Sequence, residues 1–108
     1  MPNSDLLLKV PPGQRLAHHS HSFAERTVLI AGSLKVAYDG QQPVMLKPGM
    51  YACGQAKLPH VAMCESKETC VLFIAFEGPV DAIPTQVDKY YRLFYLFGVA
   101  FGCIVYIR

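Results

Sequence analysis

Two histidines, His19 and His21, stand two residues apart, a glutamate follows at Glu25, and a further histidine, His60, stands directly behind Pro59. On an extended strand alternate side chains share a face, so His19 and His21 can present both imidazoles to one point. Glu25 lies beyond the turn-like Ser22-Phe23-Ala24 and can return a carboxylate oxygen from the neighbouring strand. His60 must come from a strand paired with this region. Three imidazoles and one carboxylate are a donor set for one divalent transition metal ion (Fe, Mn, Ni, Cu, Co or Zn) and are too rich in nitrogen for Ca or Mg. In an octahedral shell about two positions would remain open, the mark of a catalytic or sensing site and not a structural one. By alternation His18 falls on the opposite face and stays outside the set. Arg15 falls on the face of His19 and His21 and is a candidate to fix a substrate carboxylate. Glu25, loosened from the ion, is the other catalytic candidate.

The elements that must position these residues read as strands. Apolar or alternating runs occupy residues 5–10, 14–21, 26–31, 34–38, 43–47, 50–53, 58–63 and 69–76. Between them stand Pro11-Pro12-Gly13, Gly32-Ser33, Asp39-Gly40, Pro48-Gly49 and Glu77-Gly78-Pro79, which are turn signals. No helical periodicity appears before residue 85. About eight short strands with turns every few residues imply an all-β antiparallel sandwich or small barrel. Residues 28–31 and 71–76 are apolar on both faces, which implies that one outer face is covered by a second subunit. Tyr51, Met45, Met50, Met63 and Phe73 are candidates to line a pocket or simply to pack the core.

A chain of 108 residues is one domain. The net charge of +2 and the lack of any Lys/Arg cluster give no electrostatic case for nucleic acid. The cysteines at 53, 64, 70 and 103 form no Cys-x-x-Cys pair, and the first residues lack a basic and apolar leader. The expectation is a cytoplasmic protein with free thiols, Cys64 packing as a small apolar side chain or serving as a redox-sensitive neighbour of His60.

Residues 1–84 hold all of this pattern, and residues 85–108 depart from it. Residues 93–107 carry no charge, lie between Arg92 and Arg108, and contain Gly98 and Gly102 four apart. Three readings stay open for this apolar extension. It is an added strand or strand pair, a short membrane helix, or a tail that hides its apolar surface by association. Fifteen residues are short against the roughly 17–25 a membrane span needs.

The ligand-bearing stretches resemble the two sequence motifs of the cupin superfamily. The first motif is Gly, five residues, His-x-His, three or four residues, Glu, six residues, Gly. Gly13, His19, His21, Glu25 and Gly32 match every interval. The second is Gly, five residues, Pro-x-Gly, two residues, His, three residues, Asn. Gly49 and His60 match, while Gln55, Lys57 and Cys64 stand at the Pro, Gly and Asn positions. The resemblance covers roughly residues 5–84. It implies a jelly-roll β-barrel, commonly a homodimer, with one metal inside the barrel held by His19, His21, Glu25 and His60. The implied function is a metal-dependent, dioxygenase-like enzyme acting on a small organic substrate. The alternative is a cupin module that binds or senses a metal, ligand or oxidant without turnover.

Overall fold

The structure, a computed structural model, describes residues 2–85 and 103–106. The chain forms strands β1 (Ser4–Val10), β2 (Arg15–Ser20), β3 (Glu25–Ala31), β4 (Leu34–Tyr38), β5 (Val44–Leu46), β6 (Met50–Gly54), β7 (His60–Cys64), β8 (Cys70–Phe76), β9 (Ile83–Pro84) and β10 (Cys103–Tyr106). β1 to β8 are the eight runs legible in the sequence. β9 and β10 are short additions to sheet edges. β1 pairs with β8, β2 with β7, β3 with β6 and β4 with β5, all antiparallel. The chain is thus one long hairpin folded at the β4–β5 turn and then rolled up, the roll closing through β3–β8 and β4–β7. Two five-stranded sheets result, ordered β1-β8-β3-β6-β10 and β5-β4-β7-β2-β9. This is the all-β jelly-roll sandwich expected from the strand count.

The turns follow their residues. In Pro11-Pro12-Gly13-Gln14 and Lys47-Pro48-Gly49-Met50 the fourth N–H donates to the first carbonyl, at 3.1 and 3.0 Å. Proline presets φ at the second position, and glycine at the third takes φ of +77° and +88°. Gln55-Ala56-Lys57-Leu58 closes in the same way at 3.2 Å, but its third residue is Lys57, at φ +66°.

The strand register stacks the interior in layers. In the first layer Glu25 lies opposite Phe76 and Gly54, and His60 opposite His19 and Tyr38. In the second, Thr27 lies opposite Ile74 and Ala52, and Ala62 opposite Leu16 and Val36. The third brings Leu29 opposite Leu72, and Leu34 opposite Cys64 and Leu46. Apart from Thr27 in the second layer, the polar groups of these layers are gathered at one end, and the largely aliphatic layers beneath form the core.

Outward parity leaves Leu7, Phe73, Val28 and Tyr51 in one cross-strand row on the β1-β8-β3-β6 sheet, with Leu7 66% and Phe73 38% exposed. Phe73, Tyr51 and Met63 therefore face away from the cavity. Met45 does not line it either, and Met50 packs against the core.

The cysteines depart from expectation. Cys64 and Cys70, at the two ends of the loop that carries the chain from β7 in one sheet to β8 in the other, form a disulfide with Cα atoms 5.9 Å apart. Cys53, opposite Cys103 in the β6–β10 ladder, is disulfide-bonded as well. No described cysteine is free. The crossing between sheets brings Cys64 to Cys70, and the β6–β10 ladder sets Cys53 opposite Cys103, proximities that linear spacing does not display. Of the apolar extension, Cys103–Tyr106 pairs antiparallel with β6. Residues 86–102, and with them most of the three readings, lie outside the described residues. Among the described residues no helix is long and apolar enough to cross a membrane.

Candidate metal centre

β2 delivers His19, and its last residue, Ser20, leads into His21. Between Leu16 and His19 the pairing with β7 shifts by one residue. This bulge changes the face assignment. Leu16, opposite the buried Ala62, and His19, opposite the buried His60, both turn inward although they are three residues apart. Arg15, opposite Met63, is turned outward. The expectation that Arg15 shares a face with His19 and His21 fails because strict alternation does not survive the bulge. Arg15 is exposed and meets the cavity only at its rim, where β2 has no described neighbour beyond it. Glu25 also arrives differently from expectation. It opens β3, which belongs to the facing sheet, so its carboxylate reaches the histidines from across the sandwich.

The four side chains converge. The ring centroids of His19, His21 and His60 are 4.4 to 5.1 Å apart, and one donor nitrogen from each lies within 4.8 Å of the others. The Glu25 carboxylate stands 3.7 Å from His21 Nε2 and 3.4 Å from His60 Nε2. These separations are too long for good hydrogen bonds and suit groups arranged about a shared central point.

The opposite ring nitrogens are all occupied. Nδ1 of His19 bonds to the Ala17 carbonyl at 2.6 Å, that of His21 to the Asp81 carbonyl at 2.5 Å, and that of His60 to the Leu58 carbonyl at 3.3 Å. A carbonyl only accepts, so each Nδ1 must carry the proton and each Nε2 a free lone pair. Metal-ligating histidines are held in this way, the outer hydrogen bond setting both tautomer and ring direction. The three histidines could hold a metal ion.

Burial sets the protonation of the cluster. It pushes the Glu25 carboxyl up from 4.5 to about 7, with His19 opposing the rise. It pushes His60 down to about 3, and His19 adds to the drop. His60 is therefore neutral across the physiological range and ready to donate its lone pair. Burial, with Glu25 nearby, also raises the Tyr38 phenol, so Tyr38 stays protonated.

Several contributors were not visible in the linear sequence. Tyr38 lies with its ring 5.0 Å from that of His60. Gly54 faces Glu25 so closely that a Cβ there would sit 3.1 Å from Oε1 and 3.0 Å from the Tyr38 ring. Asp81 takes the Ser22 N–H at 2.9 Å and the Ser22 hydroxyl on its carboxylate while its carbonyl orients His21. Ser22 in turn holds the Asp81 carboxyl below its usual range. Adjacency to His21 was the only available signal for Ser22. His18, set outside the ligand group by sequence, has its ring between Asp39 Oδ1 at 2.8 Å and Thr85 Oγ1 at 2.6 Å.

The site opens into a cavity of about 540 Å³ that descends from the ligand layer past Ile74, Ala62 and Val36 to Leu34, Leu46 and Leu72.

Comparison with known proteins agrees with this fold. No curated protein sequence matches the chain. Among solved structures, oxalate decarboxylase from Bacillus subtilis superposes with a TM-score of 0.63 at 22% identity, over 68% of this chain and 20% of that one. DMSP lyase DddQ from Ruegeria pomeroyi gives 0.70 at 20% identity, over 77% and 43%. Oxalate decarboxylase from Lactobacillus farciminis, as a formate complex, gives 0.67 at 18%, over 76% and 26%. The chain thus spans less than half the length of each of these proteins, and at such identities they share its fold. The family model described as the cupin domain matches residues 6–76. With the two sheets, the inward histidines and that match in hand, the chain belongs to the cupin domain family.

Proposed function

We propose that the chain binds one divalent transition metal ion through His19, His21, His60 and Glu25 and uses it in a dioxygenase-like reaction on a small organic substrate. The observation that carries this reading is the shared commitment of all three Nδ1 atoms to backbone carbonyls, which leaves three clustered Nε2 lone pairs, those of His21 and His60 beside the Glu25 carboxylate. Bound there, such an ion supplies Lewis acidity and, in an octahedral shell, two further coordination positions. The residues of the chain do the rest. Asp81 and Ser22 hold His21 in place, Tyr38 keeps a phenolic proton beside His60, and the aliphatic layers exclude water from the reacting end. Arg15, at the rim, is available to a carboxylate entering from solvent. That this fold occurs in proteins named as a decarboxylase and a lyase supports turnover at the site.

One observation favours a second reading, a module that binds or senses without turnover. Cys64, four residues beyond His60 on β7, forms a disulfide with Cys70, so the strand that carries a ligand also carries a redox-responsive bond. The exposed row through Leu7 and Phe73 supports pairing with a second copy, a homodimer.

Metal analysis of the purified full chain tests the first step. One equivalent of a transition metal per chain is expected, and protein that takes up none overturns the reading. Oxygen uptake after adding Fe(II) and a panel of diols, thiols and flavonols separates enzyme from binding module. Consumption with any of them supports turnover, and none favours the module.

A further inference from the structure

The layered interior bears on what the site accepts. Glu25, His19, His21, His60 and Tyr38 form one polar stratum, and Arg15, His18, Asp81 and Thr27 are the other polar residues of the lining. Beneath it, two further strata line the cavity with Leu16, Val36, Ala62 and Ile74, then Leu34, Leu46 and Leu72. Thr27, 6% exposed, is the one hydroxyl among the described residues of those strata. A short dicarboxylate coordinated at the ligand stratum and directed down the cavity, away from Arg15 at the rim, would point its second charge at aliphatic side chains, and burying an unpaired carboxylate is prohibitive. An apolar body loses nothing there and gains with each methylene withdrawn from water.

We infer that the site takes an amphiphilic small molecule: one oxygen-bearing, metal-coordinating head at the histidine stratum and an aliphatic or aromatic body that fills the two strata below. The cavity, about 540 Å³, falls within the range of small-ligand pockets, which are mostly apolar with a few placed polar groups. The orientation of the head rests on the metal reading proposed above. The binding of the body does not, because no ligand residue forms that part of the wall. Entry is on the side where β1, an edge strand, and residues 15–17 of β2 face each other. Leu6 and Leu8 on one side, and Arg15, Leu16 and Ala17 on the other, line the cavity there.

The test is calorimetric titration of the full chain with straight-chain hydroxamic acids of increasing length and with malonate, using protein depleted of metal and protein loaded with Zn(II). Affinity is expected to rise about fourfold per methylene, from about 0.8 kcal/mol each, until the cavity is full, and then to stop rising. The slope should be the same in both preparations, with tighter binding throughout in the loaded one. Malonate should bind at least as weakly as the shortest hydroxamate. Ala62→Met fills the second stratum and should move the optimum to a shorter chain. Leu16→Ala opens it and should move the optimum to a longer one. Neither shift would follow from binding on the exposed outer sheet. Affinity that does not depend on chain length in either preparation overturns the inference while leaving the metal reading intact. A normal slope with no gain from Zn(II) keeps the apolar site and removes the metal-bound head.

Discussion

The two ligand-bearing segments, residues 13–32 and 49–64, deliver side chains to the same point by different means. The first matches the cupin pattern at every interval, while the second departs at Gln55, Lys57 and Cys64. Yet His60 faces His19 in register. The loop before His60 is held largely by backbone groups. The Lys57 N–H donates to the His21 carbonyl at 2.7 Å, the Leu58 N–H to the Gln55 carbonyl, and the Asp39 N–H to the Pro59 carbonyl at 3.0 Å. Such bonds do not read side chains, so the path of the loop survives substitution. In the first segment function resides in the side chains themselves, and a single change there removes a donor. The motif is therefore strict where side chains are the chemistry and permissive where only the backbone path matters.

The largest effects should come from the strict segment. Glu25→Gln or His19→Ala should lower metal affinity by more than about 100-fold, since outer-shell partners alone are worth about 10–100-fold. Titration with a competing chelator measures this. Lys57→Gly should leave the affinity unchanged, and an equal loss in both segments would break the comparison. The Glu25 variant also carries a pH signature in metal-depleted protein. Its carboxyl titrates near 7 folded against 4.5 unfolded, so its burial costs nothing below 4.5 and its full amount above 7. About 2.5 units correspond to on the order of 3 kcal/mol, the expected stabilisation of metal-depleted Glu25→Gln at pH 8, vanishing near pH 4. His60 acts in the opposite sense. Its folded value of about 3, against an ordinary 6.5, favours the fold above 6.5 and is lost as the pH falls toward 3. Denaturant melts of wild type should thus vary little between pH 4.5 and 7, while those of Glu25→Gln should rise with pH and level off above 6.5.

A middle-sized effect lies at Cys64, the Asn position of the second motif. Closing the short loop between Cys64 and Cys70 is worth about 2 kcal/mol on the chain-entropy account, so the double Cys→Ala variant should lose about that much. His60 is four residues along the same strand, but the variant should still bind metal. Counting thiols in denatured protein prepared without reductant should find none, and four would restore the free-thiol expectation. It would also remove the disulfides' argument for an oxidising compartment, since disulfides persist mainly there. This bond marks where the sequence stops being legible. Apolar runs and Gly/Pro turns disclosed β1 to β8, and type and spacing disclosed His19, His21, Glu25 and His60, because both are local properties. Which sheet Glu25 belongs to, which cysteines meet, and that a bulge turns Arg15 outward are properties of pairing. Pairing is settled by how the rolled hairpin closes, and no window of residues contains it. Tyr38 was overlooked for the same reason: its inward face follows from lying opposite His60.

The smallest effect isolates the permissive segment. Lys57 occupies the third position of its turn at φ +66°, where Gly13 and Gly49 sit in the other two. A Cβ in the left-handed region costs about 1–2 kcal/mol, and glycine avoids it. Glycine in turn makes the unfolded chain more flexible, which returns part of that gain. The net for Lys57→Gly is a stabilisation of about 1 kcal/mol, with the Lys57 N–H still on the His21 carbonyl and metal affinity untouched. Lys57→Ala separates the backbone cost from the side chain, since it keeps the Cβ and removes the methylenes and the ammonium beyond it. It should leave stability near wild type. If alanine stabilised as much as glycine, the cost at this position would lie in the lysine side chain beyond Cβ and not in its backbone, and the tolerance of the second motif would need a side-chain explanation in place of a conformational one.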